Sequence, residues 1–518
     1  MVTVSRFVAL GALLTPGLAA ACGGLFCDNA QPVNQAAERI LFGHDGLKMQ
    51  MHVRISYQGP PTEFGWLLPV PPDVETGLSS EAMFARLDQS FAPVFQLAFE
   101  SENCGFDAGG GGAGGLGGGA GGEGGGGGGV QVLSREPVGP YDRSILQAES
   151  VDRLLEWLGE NDYQVPPGSE STLQPYVDLG AAFVALKLLP GADAADIVPL
   201  RLTFTGDTPA VPIRPTAVAA EPDMGVIIHL LGPARAVSTN YLHVEINEAA
   251  IDWLSGASNY ADVVSQAADE AGGRAFTTDY AGSTQGFQVG QLLPSDIAVV
   301  GEATTLGEVL NQLGFLDEDM QRILRAHVVP PEGLTVDEVL TFFFDYMDLP
   351  VDGGAIASDL TTEILDVRGP INALFARHPY LTRVFTTLSP AEMIDDPVFS
   401  FNADLAEQPR TRTATQVFNC DDRSTHLRLA NGRRVALDEP IQREDGETVR
   451  GIEQLGAALI ERQFAAGQSE VVEDRRGQIG SLGNEGGDDG CDCDASGGGP
   501  GPGALLGLVG LLALRRRR

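Results

Sequence analysis

Basic residues are scarce in this chain: 33 Lys and Arg stand against 70 Asp and Glu among 518 residues, a formal net charge of −37 at pH 7. A field of that sign repels phosphate backbones and anionic lipid surfaces, which argues against nucleic acid as a partner. Histidine is scarce too. His44, His52, His229, His243, His327, His378 and His426 are scattered, and no two have the His-x-x-x-His spacing of a helical metal site. His243 and Glu245 share one face of a strand, but strand residues of this kind are ordinary surface or core groups. The usual catalytic signatures are missing. The nearest approach to Gly-x-Ser-x-Gly is Gly256-Ala257-Ser258-Asn259-Tyr260, which lacks the second glycine of a nucleophile elbow. There is no Gly-Lys-Ser/Thr phosphate loop, and no cysteine sits beside a basic residue that would hold a thiolate. Long apolar runs are also absent. The stretch Ala504 to Leu514 rises only about 16 Å as a helix, against a hydrocarbon core of about 30 Å.

These absences leave enzymatic activity open and assign no catalytic residue, no metal ligand and no cofactor. Carboxylates are too numerous for an acid–base pair to be picked out by sequence. Glu392, Asp395 and Asp396 are the best polar candidates, although Ser389-Pro390 with Glu392 three places on also has the form of a helix start, with Ser389 as cap. Trp66 beside Pro69 and Pro71 is read as core rather than as the lining of a groove.

What is present begins with apolar residues: 43% of the chain, with 23 Phe, enough to bury a sizeable core in one large or two intimate domains. The two ends carry addresses. Arg6, the apolar run Phe7 to Leu14 and Ala19-Ala20-Ala21 have the three parts of a secretory signal, with cleavage expected between Ala21 and Cys22. Cys22 is then either a lipid attachment site or one half of a disulfide. Ala19 stands where a lipobox has a larger aliphatic residue, which favours the disulfide. At the far end Cys491-Asp492-Cys493 precedes a Gly/Pro spacer, the short apolar stretch, and Arg515, Arg516, Arg517 and Arg518. The arginines would stay cytoplasmic. The order of cysteine motif, apolar stretch and arginine cluster resembles the MYXO-CTERM sorting signal. That resemblance implies export machinery and a sorting protease as partners, and anchoring to the membrane near Cys491 or Cys493 after the tail is removed.

The expected division is therefore a signal peptide at 1–21, a globular body at 22–470, an acidic Gly-rich linker at 471–503 and a sorting tail at 504–518. The localisation expected is the cell envelope or surface, beyond the inner membrane. In an oxidising compartment an even number of cysteines reads as disulfides, and Cys22–Cys27 with Cys104–Cys420 is the pairing expected. A zinc site fits less well, because the cysteine pairs lack Cys-x-x-Cys spacing. Asp488, Asp489, Asp492 and Asp494 read as solvated linker rather than as a cation site.

Within the body, Leu47 to Tyr57 alternates apolar and polar residues, predicting a half-buried strand with one face in water. Asp45-Gly46 predicts a tight hairpin before it, and Phe64 to Val70 a more buried strand after it. Residues 105–129, almost pure glycine from Gly109 onward, are read as a flexible loop insertion. Ser150 caps a predicted helix bearing Val151, Leu154, Leu155 and Leu158 on one face. Strands are predicted at Ala182 to Leu188, Leu200 to Thr205, Met224 to Leu231 and Tyr241 to Ile246. The period then turns helical: Leu306 to Leu313, Met320 to Leu324, and a capping box at Thr335 and Glu338 that leads into Phe342-Phe343-Phe344. Further helices are predicted over Ile371 to Phe385 and Ile452 to Phe464. Asn431-Gly432 predicts a hairpin, and from Glu470 the chain reads as a disordered stalk. The fold class is α+β: an antiparallel sheet or sandwich-like N-terminal region to about residue 300, then a helical C-terminal half.

Several segments resemble the bacterial family known as domain of unknown function 2330. They are Cys22 to Cys27, Pro32 to Gln35 with Glu38 to Ile40, Trp66 to Pro71, Tyr380 to Arg383 with Thr386 to Met393, and Asp396 to Phe399. The resemblance implies an exported protein and imports no activity. The leading reading is a structural or interaction protein of the envelope; the alternatives are a secreted hydrolase with a carboxylate site and a cation-binding envelope protein.

Overall fold

The computed structural model describes residues 38–55, 64–102, 131–192, 196–314, 316–421, 423–436, 441–442, 448–449, 455–477 and 479. The signal segment, the Gly-rich insertion, the 480–503 part of the linker, the sorting tail, and Cys22, Cys27, Cys104, Cys491 and Cys493 lie outside them.

Ten strands form the central sheet, in the order Glu470–Asp474, Ala457–Arg462, Leu242–Ile246, Ala275–Ser283, Tyr380–Leu388, Met224–Gly232, Glu38–Asp45, Lys48–Arg54, Leu200–Thr205 and Glu75–Leu78. The expected Asp45-Gly46 hairpin pairs Asp45 with Lys48 and gives Gly46 a φ of 67°. The sheet is mixed rather than purely antiparallel. Glu38–Asp45 runs parallel to Met224–Gly232, and Leu242–Ile246 runs parallel to Ala275–Ser283. Parallel neighbours need a long crossover, and the chain between the first pair supplies one by building a second sheet and three α-helices.

The strand Tyr380–Leu388 lies between two strands that precede it by about a hundred residues or more of chain. It pairs antiparallel with Met224–Gly232, Gly232 opposite Tyr380 and Met224 opposite Leu388. On its other edge Ser283 faces Tyr380 and Thr277 faces Phe385. The helices from Pro294 to Arg377 are thus an insertion inside a hairpin. Their own core comprises Val300, Leu306, Val309, Ile323, Leu324, Val339, Ile356 and Leu360. Here the capping boxes are as expected: the Thr335 side chain accepts from Glu338 N at 3.2 Å, and the Glu338 carboxylate accepts from Thr335 N at 2.8 Å.

One face of the large sheet packs Ile40, Phe42, Met51, Val226, Ile228 and Val384 against Trp66, Leu68, Val184 and Leu186 of a four-stranded sheet, the sandwich-like arrangement expected. That sheet's outer face, through Leu67, Leu146 and Phe183, is covered by the helices Val151–Glu160 and Ser169–Asp178. The opposite face of the large sheet buries Leu41, Leu231 and Leu381 under Glu81–Phe91 and Asp366–Arg377. Further along, Val244, Ala275 and Phe385 share a core with Val263, Val264 and Ala267 of Tyr260–Glu270 and with Ala414 and Leu427 of a third sheet.

Five expectations change. The strand Lys48–Arg54 has no face in water: Gln50 and His52 are buried, because helices cover the side that alternation marked as polar. The helix expected over Ile371 to Phe385 ends at Arg377, and Tyr380–Leu388 is a strand. His378-Pro379 breaks the helix, and the β-branched Thr382, Val384, Thr386 and Thr387 suit the sheet. Ala457–Arg462 is a strand rather than a helix, docked beside Leu242–Ile246, and its neighbour Glu470–Asp474 pairs as the outer edge where a stalk was read. Tertiary pairing overrides helix propensity at both places. Ser389 to Ile394 is a turn and not a helix.

Glu38 opens its strand on the face that carries Ile40 and Phe42 into the inter-sheet core. It is 6% exposed, and its Oε2 has no hydrogen-bond partner among the described residues. Burial pushes its carboxyl up from 4.5 to about 7. The folded state therefore holds this proton more tightly than the unfolded chain, and its stabilising effect fades as pH rises through 4.5 to about 7. Glu38→Gln is expected to leave urea stability unchanged at pH 4 and to raise it by up to about 3 kcal/mol at pH 8. A gain of equal size at both pH values would contradict this.

Candidate functional site

Titratable groups gather in three places. The first is the polar seam beneath Glu81–Phe91. Strand register sets Arg39 beside Arg54, Leu41 between His52 and His229, and His229 beside Arg383. Two helical turns separate Glu81 from Asp88, so both carboxylates reach down to this row. Arg39 pairs with Asp88 at 2.5 Å, Arg54 with Glu81, and Arg383 with Asp88 at 3.7 Å and also with Asp279. Asp279 is fully buried and also accepts from the Tyr260 hydroxyl. The His52 Nδ1 lies 2.7 Å from Ser79 Oγ, and His229 is fully buried. Burial, with the nearby Arg383 and Arg39, pushes the His229 pKa well below its ordinary value; burial and Arg201 take His52 to about 3. Burial thus favours the neutral form of both imidazoles, while the ion-paired side chains of Arg39, Asp88, Arg54 and Glu81 remain partly exposed.

The second gathering ties the helical insertion to the start of the helix Glu81–Phe91. Arg368 donates to both oxygens of Asp317 at 2.7 Å, to Asp319 at 2.7 Å and to the Gly290 carbonyl at 2.9 Å. Asp319 in turn accepts from Ser80 Oγ at 2.5 Å and from Glu81 N at 2.9 Å.

The third contains the carboxylates singled out by sequence. Asp395 sits between Arg214 at 3.0 Å and Arg274 at 2.6 Å. Asp396 accepts from Tyr176 Oη at 2.7 Å and Ile213 N at 3.0 Å. These two residues bind the loop after Tyr380–Leu388 to the layers beneath it. Glu392 accepts from Ser389 N at 2.7 Å, so the local signal for a helix start closes a turn instead. Its carboxyl also lies near those of Asp269 and Asp223; burial and then these like charges raise Glu392, and burial followed by Asp223 raises Asp269. Two neighbouring carboxyls that are both raised are the minimum for acid–base chemistry. Here the pair is partly open to water, and one member is already engaged in ordering its loop.

Among the described residues no group of three or more His, Cys, Asp or Glu is arranged to hold a metal ion, and no helix is long and apolar enough to cross a membrane. His243 finds Glu461 across the strand pair at 3.1 Å, not Glu245 on its own strand. Trp66 is core. Cys420 follows the strand Thr411–Asn419, and its amide donates to the Glu102 carbonyl at 3.1 Å. Sequence reasoning missed the surface: Phe342 and Phe344 are 61% and 79% exposed, and the only signal was three successive Phe in a helix whose period can bury just one of them.

The family described as "Uncharacterized protein conserved in bacteria (DUF2330)" matches residues 16–300. The chain belongs to that family. No curated protein and no solved structure matches it. The DUF2330 match takes in Met224–Gly232 and Ala275–Ser283 but stops short of Tyr380–Leu388, the strand that lies between them.

The seam is the cluster whose loss is costliest. A buried ion pair broken on one side leaves an uncompensated charge worth about 3–5 kcal/mol. Asp279→Ala is expected to lower unfolding free energy in urea by that amount, and Asp279→Leu combined with Arg383→Met by much less. Equal losses for the two variants would contradict a pairing role.

Proposed function

We propose that this DUF2330 protein is exported across the inner membrane, held at the cell envelope through its processed C-terminus, and works there by binding rather than by catalysis. The observation that carries the export reading is the position of Cys420. The parallel register of Val94–Glu102 with Thr411–Asn419 ends at Glu102 opposite Asn419, and the next amide, that of Cys420, bonds Glu102. Cys104 lies two residues beyond Glu102, within about 7 Å of it along the chain. A Cys104–Cys420 disulfide would staple the early and late parts of the body, and such a bond persists in an oxidising compartment. The signal at Met1 to Ala21 and the tail at Cys491 to Arg518 support the same route.

Binding is favoured over catalysis because Asp395, Asp396, Asp317, Asp319 and Asp279 all hold structural bonds, while large aromatics stand open on the helical insertion. A second reading, a hydrolase, is favoured by the neighbouring carboxyls of Glu392 and Asp269, both raised by burial and like charge.

Cell fractionation with intact-mass analysis and non-reducing peptide mapping tests the proposal. The expected protein is in the envelope fraction, begins at Cys22, lacks residues 504–518, and yields a Cys104–Cys420 linked peptide. A cytosolic protein with Met1 and Arg518 in place, and Cys420 alkylated without prior reduction, would overturn it.

A further inference from the structure

The helical insertion presents an aromatic ridge that its own core does not use. The helix Val336–Thr341 buries Val339 completely and Val336 and Leu340 in part, and the turn Phe343–Tyr346 adds a partly buried Phe343. Phe342 and Phe344 stay outside that core, at 61% and 79% exposure. The rings of Phe343 and Phe344 lie 4.2 Å apart between centroids, so Phe344 is braced by an anchored neighbour rather than loose. Two exposed aromatics two residues apart, one of them braced, are the kind of feature that anchors protein interfaces.

The charge around the ridge selects what can cover it. From Val328 to Asp352 there are six acidic residues, Glu332, Asp337, Glu338, Asp345, Asp348 and Asp352, and no Lys, Arg or His. Three of them have local duties. Glu338 closes the capping box, Asp352 accepts from Ala355 N at 3.0 Å, and Asp337 pairs with Arg325 at 2.7 Å. Asp345 and Asp348 follow the aromatics directly and are exposed. Anionic lipid and a second copy of this chain, itself at −37, would both meet like charge at this surface.

We infer that Phe342 and Phe344 insert into an apolar pocket of another polypeptide, ringed by Lys or Arg that face Asp345 and Asp348. The inference rests on the binding half of the proposed function. It is independent of where the chain is processed, so its failure would leave the mass and fractionation result untouched.

The probe is a fluorescent amphipathic helical peptide of Leu and Lys, titrated with the purified full chain and followed by anisotropy at low and physiological salt. Alongside it runs a Lys/Ser peptide of equal charge. Binding of the Leu/Lys peptide is expected to weaken at least tenfold in the double variant Phe342→Ser, Phe344→Ser, whose melting temperature should match the parent because neither ring belongs to the core. Asp345→Asn with Asp348→Asn is expected to flatten the salt dependence. The Lys/Ser peptide is expected to bind at least tenfold more weakly than its Leu/Lys counterpart. No binding, equal binding to the Phe variant, or equal binding of the Lys/Ser peptide would overturn the inference. So would a dimer in sedimentation that the Phe variant abolishes, since the ridge would then be a self-interface.

Discussion

The placement of one strand governs this molecule. Tyr380–Leu388 lies in the middle of the large sheet, hydrogen-bonded along one edge to Met224–Gly232 and along the other to Ala275–Ser283. A central strand satisfies the backbone groups of two neighbours at once, and buried backbone groups without partners are costly. Without it, both neighbours would present open edges beneath helices and a third sheet. The strand also carries Arg383 into the ion-pair seam and Leu381, Val384 and Phe385 into three separate cores. The helical insertion therefore does not trail behind a finished domain. It is looped out of a hairpin and tied back by Asp319, which bonds Ser80 and Glu81, and by Arg368, which bonds the Gly290 carbonyl.

Much of this was legible in local sequence. Tight turns at Asp45-Gly46 and Asn431-Gly432 were readable because a two-residue hairpin needs positive φ, and Gly46 and Gly432 supply 67° and 82°. The helices after residue 300 were readable from their stripes and caps. The strand Ala182–Leu188 coincides with its predicted limits, since a short apolar run between turn signals has few other fates. What failed was whatever depended on a distant partner. Alternation in Lys48–Arg54 reported correctly which residues share a face, but not that Glu81–Phe91 brings Glu81 to pair with Arg54 and covers the other side. Ala457–Arg462 carries helix-forming residues and became a strand because Leu242–Ile246 offered an edge. Parallel pairing leaves no local mark at all.

The candidate sites divide in the same way. Asp395 and Asp396 were visible as a polar pair, yet their tasks, clamping Arg214 and Arg274 and receiving Tyr176, depend on segments more than a hundred residues away. Apart from Glu38, the buried carboxylates Asp279 and Asp319 are consumed by architecture, which fits an acidic body that pairs most of its interior charges and keeps its excess negative charge in water. The features left without an internal task lie on the surface, in the aromatics of the helical insertion. Membership in DUF2330 covers the first part of the sheet and does not reach its middle strand.

The most direct test is urea unfolding of the fragment 22–300, which holds almost all of the family-matched region, beside the full chain. The account predicts that the fragment, lacking Tyr380–Leu388, shows no cooperative transition, while the full chain unfolds cooperatively. A fragment that unfolds in a single cooperative transition with native-like circular dichroism would show that the sheet completes itself without that strand, and the account would be wrong.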